Sequence, residues 1–300
     1  MPQVTPGELA PPWFRLFTLL VVILLSTMVG MGLAYAIMSA TGLDNRAVLD
    51  QIASGNFENL RTLRWVLLIN QLFSFALPAI VTAWYLHRSQ WLQKLHLARI
   101  PASRWLLFGL IFTLLALPVA QFLLAIGQQL PLPDWASQLE DRTSGLIAGM
   151  LQVDGIGSFI LTLFIMAILP AVGEELVFRG LVQRNLERWF NGKGVLAIWV
   201  TAAIFSAIHF QFEGFFSRMV LGAVMGYLYF WTRNLWVSIF AHFLNNALFV
   251  VIAYSGGDLI SAQLDELQNA PAAIPWTTGL LFGGLLLAFG MYLHRLAKEN

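Results

Sequence analysis

Four stretches of this chain, residues 16–40, 65–86, 105–126 and 276–293, run for 18 to 25 residues without a charged side chain. A bilayer-crossing helix needs roughly 20 mostly apolar residues, with about 17 to 25 as the working range. A helix that is apolar on every side has no face to offer water, so these runs belong in lipid. A fifth run, 234–257, has His242 as its only ionisable residue, and a sixth, 155–173, ends directly on Glu174 and Glu175. Two shorter runs complete the set: 194–208 leads into His209, and 219–232 lies between Arg218 and Arg233. The expected fold is an all-α polytopic membrane bundle of about eight transmembrane helices.

Composition excludes the alternatives. Charged residues make up 11% of the chain, against roughly 25% in a typical soluble domain. So few charges cannot clothe a water-facing surface. A net charge of +1 announces no nucleic-acid partner. With no cysteine there is no disulfide framework, thiol nucleophile or cysteine zinc site. Residues 1–300 hold no repeat, low-complexity tract or long linker, so a single integral membrane domain is expected. The first run is too long for a signal-peptide core and reads as a retained anchor. Eight spans put both termini on one side. That side collects most of the 17 lysines and arginines, including Arg88, Lys94, Arg99, Arg104, Arg184 and Arg188. By the positive-inside rule both termini are cytoplasmic, and the expected location is the cell's inner membrane. The longer connections, 41–64 and 127–154, then lie outside.

Ionisable groups at membrane depth cost roughly 2.5–3.5 kcal/mol each on insertion scales, so each is a functional candidate. Only Glu174 and Glu175 among the acids, and His209 and His242 among the histidines, meet that condition. Adjacent helical residues point about 100° apart, so the two glutamates cannot share one task. Glu175 and Arg179 lie four apart on one face and suit an intrahelical ion pair. Glu174 points elsewhere. Pro170, four residues before it, removes a backbone donor and permits a kink. Asn191-Gly192 reads as a turn. Glu174 precedes Asn191 by 17 residues and His209 follows Gly192 by 17, so both sit about 25 Å from the turn along antiparallel helices. Phe205, one turn before His209, can wall the same pocket. His242 and Asn246 are four apart on the seventh span and also share a face.

A secluded carboxylate, two imidazoles and a carboxamide suit water-mediated peptide hydrolysis. Glu174 can take a proton from water and return it to the leaving amine, with His209 orienting that water. His242 and Asn246 can donate to the oxyanion of the tetrahedral intermediate. No His-Glu-x-x-His zinc helix or Gly-x-Ser-x-Gly elbow is present. Two readings from other classes compete: a non-catalytic membrane scaffold or bacteriocin-immunity-type protein, and a proton-coupled transporter. The transporter lacks its usual inverted repeat and paired broken helices.

Glu174-Glu175-x-x-x-Arg179, Phe205-x-x-x-His209 and His242-x-x-x-Asn246, in this order over residues 160–254, resemble the CAAX protease and bacteriocin-processing (CPBP, or Abi) family. The CAAX prenyl protease 2 type of intramembrane glutamic endopeptidase belongs to that family. The resemblance implies that Glu174 and His209 activate water, His242 and Asn246 stabilise the oxyanion, and Glu175 and Arg179 form a structural ion pair. It implies a membrane-associated protein or peptide substrate, lipid-modified tails included, and leaves the oligomeric state open. No cofactor is expected. Two histidines and Glu174 can in principle bind zinc, but a glutamate used as ligand would leave the site without its base.

Overall fold

The computed structural model describes residues 9–42, 60–153, 155–269 and 275–299, with isolated positions at 46 and 50; over 256–269 it describes the backbone alone. Helix α1 (Pro12–Ala40) opens on a proline, whose missing N–H costs nothing in a first turn. Two long helices, α2 (Leu60–Lys94) and α5 (Gly155–Trp189), share one device. Each widens into a π-turn just ahead of a proline: Leu72–Ala76 before Pro78, and Phe164–Ile168 before Pro170. A helical proline crowds the carbonyl four residues earlier, and a wider turn gives that carbonyl room. The disturbance expected at Pro170 thus takes the form of a local widening. A second π-stretch, Leu176–Gln183, follows in α5.

The other helices are α3 (Ser103–Gly127), α4 (Asp134–Met150), α6 (Gly194–Ala207), α7 (Phe215–Thr232), α8 (Leu235–Asn269) and α9 (Trp276–Glu299). Among the described residues six helices, namely α1, α2, α3, α5, α8 and α9, are long and apolar enough to cross a membrane. The last two runs of the sequence reading form shorter elements. At 14 residues α6 is about 21 Å long, and α7 has 18 residues with Arg218 near its start. The chain is an integral multi-pass membrane protein built as a helical bundle. The 127–154 connection is not a plain loop, since most of it folds into α4. Trp135 of α4 packs edge-on against Phe212 at 5.2 Å, and Glu140 accepts the Phe212 backbone N–H at 2.8 Å. Most of the 41–64 connection lies outside the described residues.

Helix α5 runs through the middle of one core. Leu176, Val177, Phe178 and Leu181 are buried there against Leu19 of α1, Ala79 and Ala83 of α2, Phe205 of α6, Tyr229 of α7 and Ile239 of α8. A second core joins Trp105 and Phe112 of α3 to Val224 and Leu228 of α7, Val237 of α8 and Leu293 of α9. Because α7 and α8 contribute to both cores, one side of α5 is sealed by well-packed helix. The turn between α5 and α6 uses Asn191 at φ 53° and Gly192 at φ 84°. Glycine adopts that left-handed geometry freely and asparagine tolerates it. On the opposite side α5 meets α2 at close range. A Cβ added to Gly173 would lie 3.1 Å from the Ala76 backbone nitrogen and 3.1 Å from the Phe75 Cβ, so glycine is what lets the π-turn of α2 approach Glu174.

Candidate active site

Glu175, Arg179 and Gln183 recur every fourth residue along α5. In a helix of 3.6 residues per turn such a row drifts by about 40° per step. The under-wound π-stretch counters the drift and keeps the row on one neighbour. Arg179 donates from Nη1 to Glu175 Oε1 at 2.6 Å and from Nη2 to the Gly222 carbonyl at 2.6 Å. Its guanidinium also lies 5.1 Å from the Phe205 ring. One step on, Gln183 donates to the Gly226 carbonyl at 3.1 Å and to Glu187 at 3.2 Å. The Gly222 and Gly226 pair of α7 therefore presents backbone acceptors as well as a close-packing groove.

His242 of α8 closes this arrangement. A carboxylate can only accept, so His242 Nδ1 donates to Glu175 Oε1, at 2.9 Å. Its Nε2 lies 3.8 Å from Glu174 Oε2, and can donate only when the ring carries both protons. One ring thus spans both glutamates. Glu175 and Arg179 are wholly buried, and His242 and Glu174 are 3% and 4% exposed.

Glu174 faces the other way, into a cavity of about 640 Å³ between α1, α2, α5 and α6. His209 lines the same cavity. It sits in the turn just past the end of α6 at Ala207, and its Nδ1 lies 2.7 Å from the Phe205 carbonyl. That carbonyl belongs to the last turn of the helix, where intrahelical donors are missing, so the imidazole serves as its cap. The same bond puts the hydrogen on Nδ1 and leaves Nε2 of the neutral ring with a lone pair. The Phe205 ring lies between the histidines, 4.9 Å from His209 and 5.9 Å from His242.

The cavity has both polar and apolar walls. Asn70, Gln71, Ser74, Glu174 and His209 are its polar residues, whereas Leu16, Leu19, Leu20, Ile23, Val182 and Leu186 are apolar. Gln71 hydrogen-bonds the Glu174 carboxylate through its side chain. Asn70, Gln71 and Ser74 were missed by sequence reasoning, although three polar side chains within five residues of an apolar span were there to be seen. Asn246 stands one turn beyond His242, where its oxygen accepts from Asn245 Nδ2 at 3.0 Å. It is outside the residues that line the cavity. Among the described residues no group of three or more His, Asp or Glu side chains has a metal-holding arrangement.

This constellation spans α5 to α8, and so does a match to one protein family. Residues 156–248 match the family of type II CAAX prenyl endopeptidase Rce1-like proteins. The matched segment holds Glu174, Glu175, Arg179, Phe205, His209, His242 and Asn246, and excludes α1, α2 and α3. Two proteins of Bacillus subtilis (strain 168) are similar. The "Uncharacterized protein YpbD" is 31% identical over 88 residues, which is 28% of this chain and 41% of that protein. The "Putative membrane peptidase YdiL" is 25% identical over 135 residues, 45% of this chain and 50% of that protein. The chain thus spans half or less of the length of these relatives. No solved structure gives a significant match.

Proposed function

We propose that the protein is an intramembrane endopeptidase that hydrolyses a peptide bond in a membrane-associated substrate with water activated by Glu174 and His209. The observation that carries this reading is the pairing of a buried carboxylate and a lone-pair-bearing imidazole on one cavity at membrane depth. Glu174 takes one proton from water as the oxygen bonds to the scissile carbonyl carbon. It then gives that proton to the leaving amine as the C–N bond breaks. His209 Nε2 accepts a hydrogen bond from the same water and orients it. His242 and the Asn246 amide, neither of which lines the cavity, supply donors to the oxyanion once substrate seats against α8. Glu175 fixes the His242 ring and Arg179 fixes Glu175, which gives the ion pair a supporting part. No metal is needed for these steps.

The apolar walls support an apolar segment or lipid-modified tail as the bound portion of the substrate. The distribution of lysine and arginine supports cytoplasmic termini and an inner-membrane location. The reading is tested by comparing membrane proteins in cells carrying wild-type or Glu174→Gln protein. Uncleaved substrates accumulate in the variant and new N-termini disappear. A proteome unchanged by Glu174→Gln in expressing cells defeats the enzyme and favours a scaffold.

A further inference from the structure

The Rce1-like match begins at residue 156, so it says nothing of α2, yet α2 forms one wall of the cavity beside Glu174. Gln71 stands there, at the last α-helical position before the π-turn Leu72–Ala76. That turn is where Gly173, one residue from Glu174, lets α5 approach so closely that an added Cβ would lie 3.1 Å from the α2 backbone. The amide of Gln71 hydrogen-bonds the Glu174 carboxylate. Its carbonyl oxygen, Oε1, is buried and has no protein partner. A buried acceptor without a partner is uncommon and calls for an explanation in what the site holds.

We propose that Gln71 is a positioning residue for Glu174: its N–H holds the carboxylate in the plane of attack, and its buried Oε1 is the acceptor kept for a substrate N–H. The inference rests on the endopeptidase reading and adds α2 to it. The water then has a place for each hydrogen. One goes to Glu174 during attack and the other is held by His209 Nε2, so with Gln71 fixing the carboxylate the oxygen lone pair is left facing the carbonyl carbon. Glutamine suits the position because one side chain provides both a donor and an acceptor. A second carboxylate there would repel Glu174, and a hydrocarbon would leave it loose.

The test uses full-length protein in membranes and Gln71→Met, which preserves volume and apolar packing while deleting both hydrogen bonds. Gln71→Leu serves as a second variant should methionine fold poorly. Dicyclohexylcarbodiimide, an apolar carboxyl reagent, is the probe, and modification of Glu174 is followed by mass spectrometry. This readout needs no substrate and does not depend on proteolysis. Modification is expected to be several-fold faster in Gln71→Met, because the carboxyl has lost its restraint. In cells, Gln71→Met is expected to accumulate the same uncleaved proteins as Glu174→Gln, with processing slowed about 10- to 100-fold. An unchanged modification rate overturns the proposal. So does normal processing in Gln71→Met where Glu174→Gln blocks it. If Glu174→Gln itself blocks nothing, the endopeptidase reading falls and takes the catalytic half of this inference with it. The modification rates still report whether Gln71 restrains Glu174.

Discussion

The two faces of α5 carry similar chemistry and treat it in opposite ways. On the face toward α7 and α8, Glu175, Arg179, Gln183 and Glu187 each meet a partner: His242, the carbonyls of Gly222 and Gly226, and Arg233 at 2.6 Å from Glu187. On the face toward α1 and α2, Glu174 looks into an open cavity whose other residues are mostly apolar. Charge along α5 is thus either locked into helix–helix contacts or, on the endopeptidase reading, held where a substrate can reach it. Only the second is available for chemistry. The comparison also separates two neighbours, since Glu174 and Glu175 are adjacent in sequence and belong to different faces.

The largest effect is expected from exchanging the roles of those neighbours. Glu174→Gln removes a base from the cavity face and leaves the paired face intact. Cleavage of an accumulated substrate should fall by about 10²- to 10⁴-fold, the usual contribution of a general base, with the unfolding temperature unchanged. An active Glu174→Gln protein would erase the distinction between the faces.

Next comes the paired face. Arg179→Met leaves Glu175 buried at 0% exposure without its cation, and breaking such a pair costs about 3–5 kcal/mol. Thermal unfolding in detergent should show the loss directly. Activity should fall with it, because the Glu175 contact that orients His242 is loosened. A stable Arg179→Met protein with a normal melting curve would mean that this face is not structural.

How much of this was legible follows the same division. The apolar runs showed the membrane bundle, and spacing alone put Glu175 with Arg179 and His242 with Asn246 on shared faces. Equal distances from the Asn191-Gly192 turn set Glu174 and His209 at one height. These are local properties, carried by helical periodicity and rise. The rest depends on which helices meet. Gln71 is 103 residues from Glu174 in sequence, and nothing in its own span names its partner. The Gly222 and Gly226 carbonyls belong to every residue type and leave no signature as acceptors. Helix α4 was read as connection because Asp134–Met150 is too polar for a span, and its docking on Phe212 is a tertiary contact. That Asn246 engages Asn245 is likewise invisible to a rule based on spacing four apart.

Gly173 sharpens the boundary between α5 and the cavity. Gly173→Ala places a methyl group 3.1 Å from the backbone of Ala76, where neither helix can yield without shifting. Overpacking of this kind costs about 1–3 kcal/mol. Its larger consequence is geometric: pushing α2 away lengthens the Gln71–Glu174 contact, so cleavage should drop more than stability does. Equal losses in both would make Gly173 a packing residue only.

The smallest effect concerns the link between α2 and α3, at the end of the paired face. His96 stacks on Tyr229 at 5.7 Å, its Nδ1 lies 3.1 Å from the Tyr229 hydroxyl, and its carbonyl accepts the Leu235 N–H at 3.2 Å. The Arg233 side chain also bonds Tyr229. Burial, reinforced by the nearby Arg184 and Arg233 guanidiniums, lowers the His96 pKa from 6.5 to about 4. The unfolded chain therefore takes up this proton as pH drops through 6.5, while the folded protein resists until about 4. Stability is complete above pH 6.5 and declines between there and pH 4. His96→Asn should flatten that part of the pH–stability curve by a few degrees in unfolding temperature, and leave the Glu174→Gln comparison untouched. An unchanged slope would place the titration elsewhere and leave His96 as a packing contact for Tyr229.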